Sequence, residues 1–445
     1  MTMSVPERGS RKPAPVTGGR QALPAERPGQ ATETAGFRLV MLYLLLEFGR
    51  PQELSPVIAA LRLPGVTTVL LAATLACSGR LIPALRQTRA FQILLVLMGL
   101  HVPLAANNYW AFWNTVTMVQ TFVIYLGIVT FVDSERRLRA SVRIWVGIHA
   151  LLALHAMLHA GRGVGGFLGD ENDVAMTLDM VVPVAFFLVV ERSASARERL
   201  LMAGALLSVM MALPLTMSRG GLLGLVAVVL YCTLRSPRKL MAVAIVLVLG
   251  LLLILYAPEG YQAKMETILW EAPEDDSGAA RIYEWKVGWN MFLDSPVLGI
   301  GPGNFPWRFS EYERTMRWQD RSLAGRAAHS AYVTLLSELG LLGIVVVAMM
   351  VIGGCRGMAL LRRLARRAGN PSQLGSGMFS TSLSLALEGS LVGFLVASAF
   401  ISTLYYPNLW VLLGFMETLR RLCVETRRSP GPALAGAPPF PPVRQ

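Results

Sequence analysis

Long apolar runs separated by short polar connections constrain this sequence more than any other feature. A helix needs about 20 apolar residues to cross the hydrocarbon core of a bilayer, where it must satisfy its backbone hydrogen bonds internally. The chain is 53% hydrophobic and 16% charged, which is more apolar than a soluble protein requires. We therefore predict an all-α, polytopic transmembrane bundle of about twelve helices. The runs lie at residues 37–49, 64–78, 91–107, 111–132, 141–159, 173–190, 200–217, 220–234, 240–257, 331–355, 379–403 and 407–419.

Composition divides the chain into five segments. Residues 1–36 are rich in Pro, Gly, Ala and Arg and lack the apolar stretch of a secretory signal, so they are predicted to be a disordered cytoplasmic tail. Residues 37–257 and 331–419 hold the predicted membrane helices, and residues 258–330 form one large hydrophilic loop between them. Residues 420–445 are basic and proline-rich and predict a second disordered tail.

The formal net charge of +13 is concentrated in the tails and in alternate connections. Because Lys and Arg are retained on the cytoplasmic side of short loops, this pattern predicts that both termini are cytoplasmic and that residues 258–330 lie outside. The same distribution argues against a nucleic-acid partner. Cysteines show no paired spacing of the kind that binds zinc or forms a disulfide framework. They are Cys77, Cys232, Cys355 and Cys423.

Two arginines on the predicted outer face are candidate anion ligands. Arg219 opens a predicted helix in the stretch MSRGGLLGL, where the helix start also favours an anion. Its alternative role is to reach lipid headgroups. Arg281 opens a predicted amphipathic helix over residues 280–293, and its guanidinium fork fits two phosphate oxygens. An ordinary solvated ion pair is the alternative for Arg281.

His329 and Asn172 are the other two candidates on this face. An imidazole can take a proton from an incoming hydroxyl near neutral pH, so His329 is a candidate general base. Its alternative is a histidine that bonds the backbone at a helix start. Asn172 lies beside three acidic residues at the start of a run, where N-capping is sufficient reason for an Asn.

Other polar residues predict structural roles. Glu338, Asp179 and Glu388 fall within apolar runs, where a carboxylate needs a partner, and helix pairing is favoured over an ion path. The glycines of GIGPGNF follow no strand, so nucleotide binding is rejected. His149, His155 and His159 share one helix face, but no third-ligand motif accompanies them, so no metal site is predicted.

Four stretches together resemble the O-antigen ligase superfamily, which includes polysaccharide polymerases. They lie within residues 165–343 and read GFLGDENDVAMTL, LTMSRGGLLGLVAVVL, RIYEWKVGWNMFLDSPVLGIGPGNF and HSAYVTLLSELGLLG. The resemblance implies a fold similar to GT-C membrane glycosyltransferases, which need no nucleotide sugar. It also implies that Arg219 and Arg281 hold the donor's pyrophosphate and that His329 activates the acceptor hydroxyl. Ser330 stands where the family often has Asn.

The resemblance implies an inverting, metal-independent transfer of a polyprenyl-pyrophosphate-linked glycan in the bacterial inner membrane, at its periplasmic face. Its partners would be the lipid-linked donor, the acceptor, membrane lipid and other polysaccharide assembly proteins. A polymerase of repeat units is favoured by analogy, and a ligase to lipid A-core is the alternative. A transporter or flippase is the alternative of another class, and it predicts inverted repeats and broken helices.

Overall fold

The computed structural model describes residues 30–79, 85–191, 194–266, 276–313, 322–367 and 377–428. Regular structure within these ranges is helical and includes no β-strand, which confirms the predicted all-α class. The helices are α1 (Gln30–Leu44), α2 (Pro56–Ala60), α3 (Leu63–Cys77), α4 (Arg86–His101), α5 (Asn108–Phe131), α6 (Glu135–Leu158), α7 (Glu171–Val189), α8 (Ala196–Ala212), α9 (Arg219–Arg235), α10 (Lys239–Tyr256), α11 (Tyr261–Glu266), α12 (Asp276–Asp294), α13 (Phe305–Glu313), α14 (Ala331–Arg367), α15 (Gly377–Ala397) and α16 (Pro407–Arg428).

Each predicted apolar run coincides with one of these helices over most of its length. Within the described ranges, seven helical segments are long and apolar enough to cross a membrane. The other runs form shorter or more polar helices, so the prediction of about twelve crossings goes beyond what helix length supports. The seven segments are Pro56–Cys77, Asn108–Phe131, Glu135–Leu158, Glu171–Val189, Ala196–Thr216, Ala331–Arg366 and Thr381–Phe400.

The first helix begins earlier than predicted, which shortens the predicted N-terminal tail. It starts at Gln30 instead of residue 37. Gly36 lies so close to the Phe131 ring of α5 that a Cβ there would collide with it. Arg137 stacks over the Phe37 ring at 5.3 Å. Packing on neighbouring helices extends α1 through a stretch whose composition is that of a tail.

The last helix ends later than predicted. α16 continues to Arg428, beyond the predicted end at residue 419. Arg421 donates to the Val132 carbonyl at 3.4 Å, and Arg420 donates to Glu417 at 2.9 Å. The Arg421 bond holds the basic end of the helix against the end of α5, whereas the Arg420–Glu417 pair lies within α16. The remaining parts of the two predicted tails, residues 1–29 and 429–445, lie outside the described residues.

Helix α7 is central to the bundle and is buried along nearly its whole length. It packs against α6, α8, α9 and α15. Ser390 of α15 donates to the Met180 carbonyl at 2.5 Å, and Asn408 of α16 donates to the Thr177 hydroxyl at 2.9 Å. Contacts on several sides therefore fix the position of the first turn of α7, which carries Asn172.

Helix α14 is broken at Gly340, whose φ of 59° and ψ of −159° are not helical. The segment after α12 fills the break with backbone hydrogen bonds. Leu341 N donates to the Pro296 carbonyl at 2.8 Å, and Gly301 N donates to the Glu338 carbonyl at 2.9 Å. Main-chain groups that the break frees are thereby satisfied.

The Glu338 side chain anchors the same segment and has the partners that a buried carboxylate requires. It accepts from Gly303 N at 2.7 Å, from Phe305 N at 3.0 Å and from the Tyr405 hydroxyl at 2.6 Å. Gly301 and Gly303 have φ values of 101° and 70°. The glycine motif therefore serves as a docking turn for the broken helix.

Consecutive packed helices bring several connections to one end of the bundle, where α7, α9 and α14 begin. We call this the site end, and the other end, where α6 and α8 begin, the opposite end. Tyr332 at the start of α14 donates to the Leu395 carbonyl of α15 at 2.6 Å. Thr334 contacts the Ser402 hydroxyl at 3.4 Å. These bonds hold the residues before α14 against the rest of the site end.

Candidate functional site

Asn172 and Ser218 join the first turns of α7 and α9. Ser218 Oγ donates to Asn172 Oδ1 at 2.7 Å and accepts from Gly221 N at 3.1 Å. Asp170 caps α7, because its Oδ1 accepts from the Asn172 amide at 2.8 Å. The interpretation of Asn172 as the cap is therefore wrong. Its side chain instead links two helices beside Arg219.

Arg219 is the first residue of α9 and is half-buried. The two glycines that follow allow close approach of other elements. A Cβ on Gly220 would lie 3.2 Å from the Phe400 Cβ, and one on Gly221 would collide with α7. Arg219 is thus placed at a tightly packed helix start, where backbone amides and the helix dipole favour an anion.

The predicted helix over residues 280–293 is present as α12, and it carries Arg281 and Glu284 one turn apart. Glu284 is completely buried, and its Oε1 lies 3.2 Å from Arg326 Nε. Burial raises the pKa of Glu284 to about 7, although Arg326 and Arg281 oppose this shift. A carboxyl that titrates near neutral pH is typical of functional sites.

Trp285 fixes α12 against two other parts of the site. Its Nε1 donates to the Ala328 carbonyl at 3.1 Å, which adjoins His329. Its ring lies 6.3 Å from the Phe400 ring, and Phe400 packs on Gly220 beside Arg219. Through Trp285, the helix that carries Arg281 contacts residues next to His329 and next to Arg219.

His329 lies among the charged groups of these segments. Burial lowers its pKa, Arg281 and Arg326 lower it further, and Asp170 acts in the opposite direction. Its φ of 43° is in the left-handed region, which is uncommon for a residue other than glycine and is often found at functional sites. The imidazole is therefore neutral, and able to accept a proton, at pH values where a free histidine is partly charged.

The next residue, Ser330, caps α14. Its Oγ accepts from Val333 N at 3.4 Å, and its carbonyl accepts from Thr334 Oγ1 at 2.8 Å. An Asn could cap a helix in the same way. The departure from the family pattern at Ser330 therefore leaves the helix start that follows His329 intact.

The four residues predicted from the sequence all lie at the site end. Asp170 bonds Asn172, which contacts Ser218 next to Arg219. The charges of Asp170 and of Arg281 on α12 both influence the pKa of His329. Sequence reasoning missed Asp170, Glu284 and Arg326 as site residues. In the sequence, Asp170 resembles an ordinary charge at a helix start, Glu284 one on an exposed helix face and Arg326 one in a loop.

Aromatic and acidic side chains continue the site end beyond the start of α7. The Tyr406 hydroxyl interacts electrostatically with the buried Asp173, and the Tyr406 ring lies 5.1 Å from the Phe167 ring. Arg50 stacks over Phe167 at 5.6 Å and pairs with Glu53 at 2.6 Å. Carboxylates accept hydrogen bonds from hydroxyl groups, so this patch offers hydrogen-bond acceptors next to the candidate site.

The two remaining intramembrane acids differ from each other. Glu388 contacts Tyr231 at 2.6 Å, Arg362 at 2.8 Å and Arg235 at 3.4 Å, which is the predicted helix pairing. Asp179 is completely buried, and neither of its carboxylate oxygens has a hydrogen-bond partner in the part of the chain that the structure describes. Helix pairing does not account for Asp179.

The three histidines of α6 and the residues after it make structural contacts. His149 Nδ1 bonds the Trp145 carbonyl at 2.6 Å, and His159 Nδ1 bonds the His155 carbonyl at 2.8 Å. The rings of His155 and His159 stack at 3.9 Å. Across the described ranges, no group of three or more His, Cys, Asp or Glu side chains is arranged to hold a metal ion.

Comparison with known proteins finds a family match for the region that contains most of the site. No curated protein matches the sequence. Residues 200–348 match the family model described as O-Antigen ligase. This range contains Arg219, Arg281 and His329, whereas Asn172 precedes it. The family comprises membrane glycosyltransferases of the ligase or polymerase type, which act on lipid-linked glycans. About a third of the chain is therefore similar to the O-antigen ligase superfamily, and the described residues include seven helices long and apolar enough to cross a membrane.

Proposed function

We propose that this protein transfers a glycan from a polyprenyl pyrophosphate carrier to an acceptor hydroxyl at the site end. The main support is the electrostatic influence on His329 of Arg326 in the same connection, of Arg281 on α12 and of Asp170 at the start of α7. The family match supports the class of reaction. The proposed location is the bacterial inner membrane, with both termini cytoplasmic and the site end periplasmic.

Arg219 and Arg281 are proposed to bind the pyrophosphate of the donor. A guanidinium offers parallel donors that match two phosphate oxygens, and the start of α9 adds backbone amides. Negative charge grows on the pyrophosphate as the glycosidic bond breaks, so fixed positive charges stabilise the transition state more than the bound substrate. Two arginines can supply this compensating charge without a metal ion.

His329 is proposed to act as the general base. The acceptor oxygen attacks the anomeric carbon while its proton passes to the imidazole. The bond between the anomeric carbon and the phosphate oxygen breaks, and polyprenyl pyrophosphate leaves with the electron pair. Attack opposite the leaving group inverts the anomeric configuration. A lowered pKa keeps His329 neutral for this task.

Asp170, Asn172, Glu284 and Arg326 are proposed as supporting residues. Asn172 fixes the start of α9 through Ser218 at 2.7 Å, which sets the position of Arg219. Glu284 holds Arg326 beside His329, where both Arg326 and Arg281 favour the neutral imidazole. We assign Glu284 and Arg326 to positioning, because they act through His329.

A polymerase of repeat units and an O-antigen ligase would use the same donor and differ in the acceptor. The acceptor is another lipid-linked repeat in a polymerase and lipid A-core in a ligase. We favour the polymerase by analogy with surface polysaccharide systems. The description of the matching family favours the ligase, which is therefore the second candidate.

A transporter of lipid-linked glycans is the alternative of another class. Transporters use broken membrane helices whose freed backbone groups bind the substrate. α14 is broken at Gly340, which is a feature that the transporter alternative predicts. The break is filled by residues 296–301 of the same chain, which occupy the backbone groups that a transported ion would need. This packing favours an enzyme.

The test is surface polysaccharide production in a deletion strain complemented with Arg219→Ala, Arg281→Ala or His329→Ala. Loss of one charge or of the base is expected to reduce transfer at least about a hundredfold. Arg308→Ala is the matched control, because Arg308 pairs with Glu311 within α13 and is not among the charges that influence His329. Membrane abundance of every variant is measured in parallel.

The products also separate the candidates. A single repeat unit without long polymer indicates a polymerase, whereas accumulation of full-length lipid-linked polymer indicates a ligase. Normal surface polysaccharide from all three variants would exclude the catalytic assignment and favour the transporter.

A further inference from the structure

A lipid-facing groove lies between α6 and α8, away from the residues proposed for catalysis. It encloses a cavity of about 760 Å³. It begins at Arg143 near the opposite end and extends along α6 to Leu154. At a rise of 1.5 Å per residue this span is about 16 Å, or roughly the thickness of one leaflet of the hydrocarbon core. The groove therefore has the length of one acyl chain.

Glycines open the groove on both of its walls. Gly147 of α6 and Gly204 of α8 line it, together with Ala150 and Ser208. A Cβ placed on Gly147 or Gly204 would meet no described atom within 4 Å. The space therefore results from missing side chains on two packed helices, and apolar residues form most of the remaining lining.

The end of the groove near the starts of α6 and α8 is positively charged. The described residues among 133–143 and 191–199 include six arginines and four acidic residues. Arg143 donates to the buried Glu198 at 2.8 Å, and Arg139 also lies 3.7 Å from this carboxylate. Arg197, in the first turn of α8, is exposed and also lines the groove. An anion at this end would meet an excess of guanidinium groups and the start of a helix.

We propose that the groove binds an acyl chain of an anionic phospholipid, with its phosphate at Arg143 and Arg197, in the leaflet opposite the site end. The positive end selects an anionic headgroup, and the glycine-lined cleft accepts the chain. The isoprenoid tail of the glycan donor is a poorer occupant, because its pyrophosphate would lie at the site end. Only this comparison with the isoprenoid tail rests on the proposed glycan transfer.

The test uses the purified full-length protein and native mass spectrometry with phosphatidylglycerol and phosphatidylethanolamine of identical acyl chains. The wild type is expected to retain phosphatidylglycerol preferentially. Arg197→Gln should weaken phosphatidylglycerol retention about fivefold and leave phosphatidylethanolamine unchanged. Gly204→Leu should reduce retention of both lipids, because leucine fills part of the groove and its Cβ would meet no described atom within 4 Å.

Two matched controls should behave as the wild type. Arg89→Gln removes an exposed arginine from the start of α4, and Gly250→Leu fills open space on α10. Thermal unfolding of every variant shows whether it remains folded. Equal retention of the two lipids by the wild type, or equal losses in the controls, would contradict the proposal. Retention of polyprenyl phosphate in place of phospholipid would also overturn it.

Discussion

Glu284 makes the stability of the protein depend on pH. Its pKa is about 7 in the folded chain, above the ordinary value of a carboxyl, because burial disfavours the charged form. The native state therefore binds more protons than the unfolded state between the ordinary carboxyl pKa and about pH 7, and stability falls as the pH rises through that window.

Glu284→Gln is therefore expected to stabilise the protein and to reduce its activity. The gain should be small at pH 4, should grow as the pH rises to about 7 and should then level off at no more than about 3 kcal/mol. Thermal unfolding across this pH range measures it. Glu311→Gln, an exposed glutamate on α13, serves as the control. A stabilisation that does not vary with pH would contradict the assigned cause.

The positive charge of Arg326 lowers the pKa of His329, so its removal should shift the pH profile of transfer. Arg326→Gln removes a positive charge that lowers the pKa of His329. The pKa of the imidazole should therefore rise, and the acidic limb of the profile should shift to higher pH. Arg326→Lys should retain most of the wild-type profile. An unshifted limb in Arg326→Gln would remove Arg326 from this role.

At the scale of elements, the broken helix α14 determines how the segment after α12 is held. Gly340 has a φ of 59°, and a Cβ there would lie 2.7 Å from the backbone oxygen of Val297. A residue with a side chain is strained at a left-handed φ, and its Cβ at this position would collide with fixed backbone atoms. The break and the docking turn therefore depend on each other.

Gly340→Ala is expected to destabilise the protein by about 1–3 kcal/mol and to reduce transfer, because His329 precedes the same helix. Gly353→Ala in α14 is the matched control. A Cβ there makes ordinary contact with Gln87 at 3.6 Å, so the control should be neutral or slightly stabilising. Thermal unfolding and protease resistance of the segment between α12 and α14 report the difference. Equal stability of the two variants would contradict the anchoring role.

At the scale of the whole molecule, the distribution of basic residues predicts that the site end faces outward. In a chain whose natural cysteines are replaced by serine, Ala324→Cys lies near His329, whereas Arg197→Cys lies at the opposite end. A membrane-impermeant maleimide should label Ala324→Cys in spheroplasts. It should label Arg197→Cys after the membrane has been permeabilised. The reverse pattern would invert the proposed topology.

The sequence by itself determined the helical class and the position of most helices. A chain in lipid must satisfy its backbone internally, so the length and spacing of apolar runs carry this information locally. It also indicated Arg219, Arg281 and His329, because a cation or an imidazole on the predicted outer face is unusual. These signals reside in single stretches of the chain.

Tertiary structure alone decided which residues act together. Asn172 bonds Ser218 across 46 positions, and Arg326 in the connection before α14 pairs with Glu284 on α12. No local sequence pattern could reveal either contact. The start of α1 and the end of α16 also depend on contacts with neighbouring helices. Burial and the neighbouring charges set the pKa values of Glu284 and His329, and both exist only once separate segments have packed together.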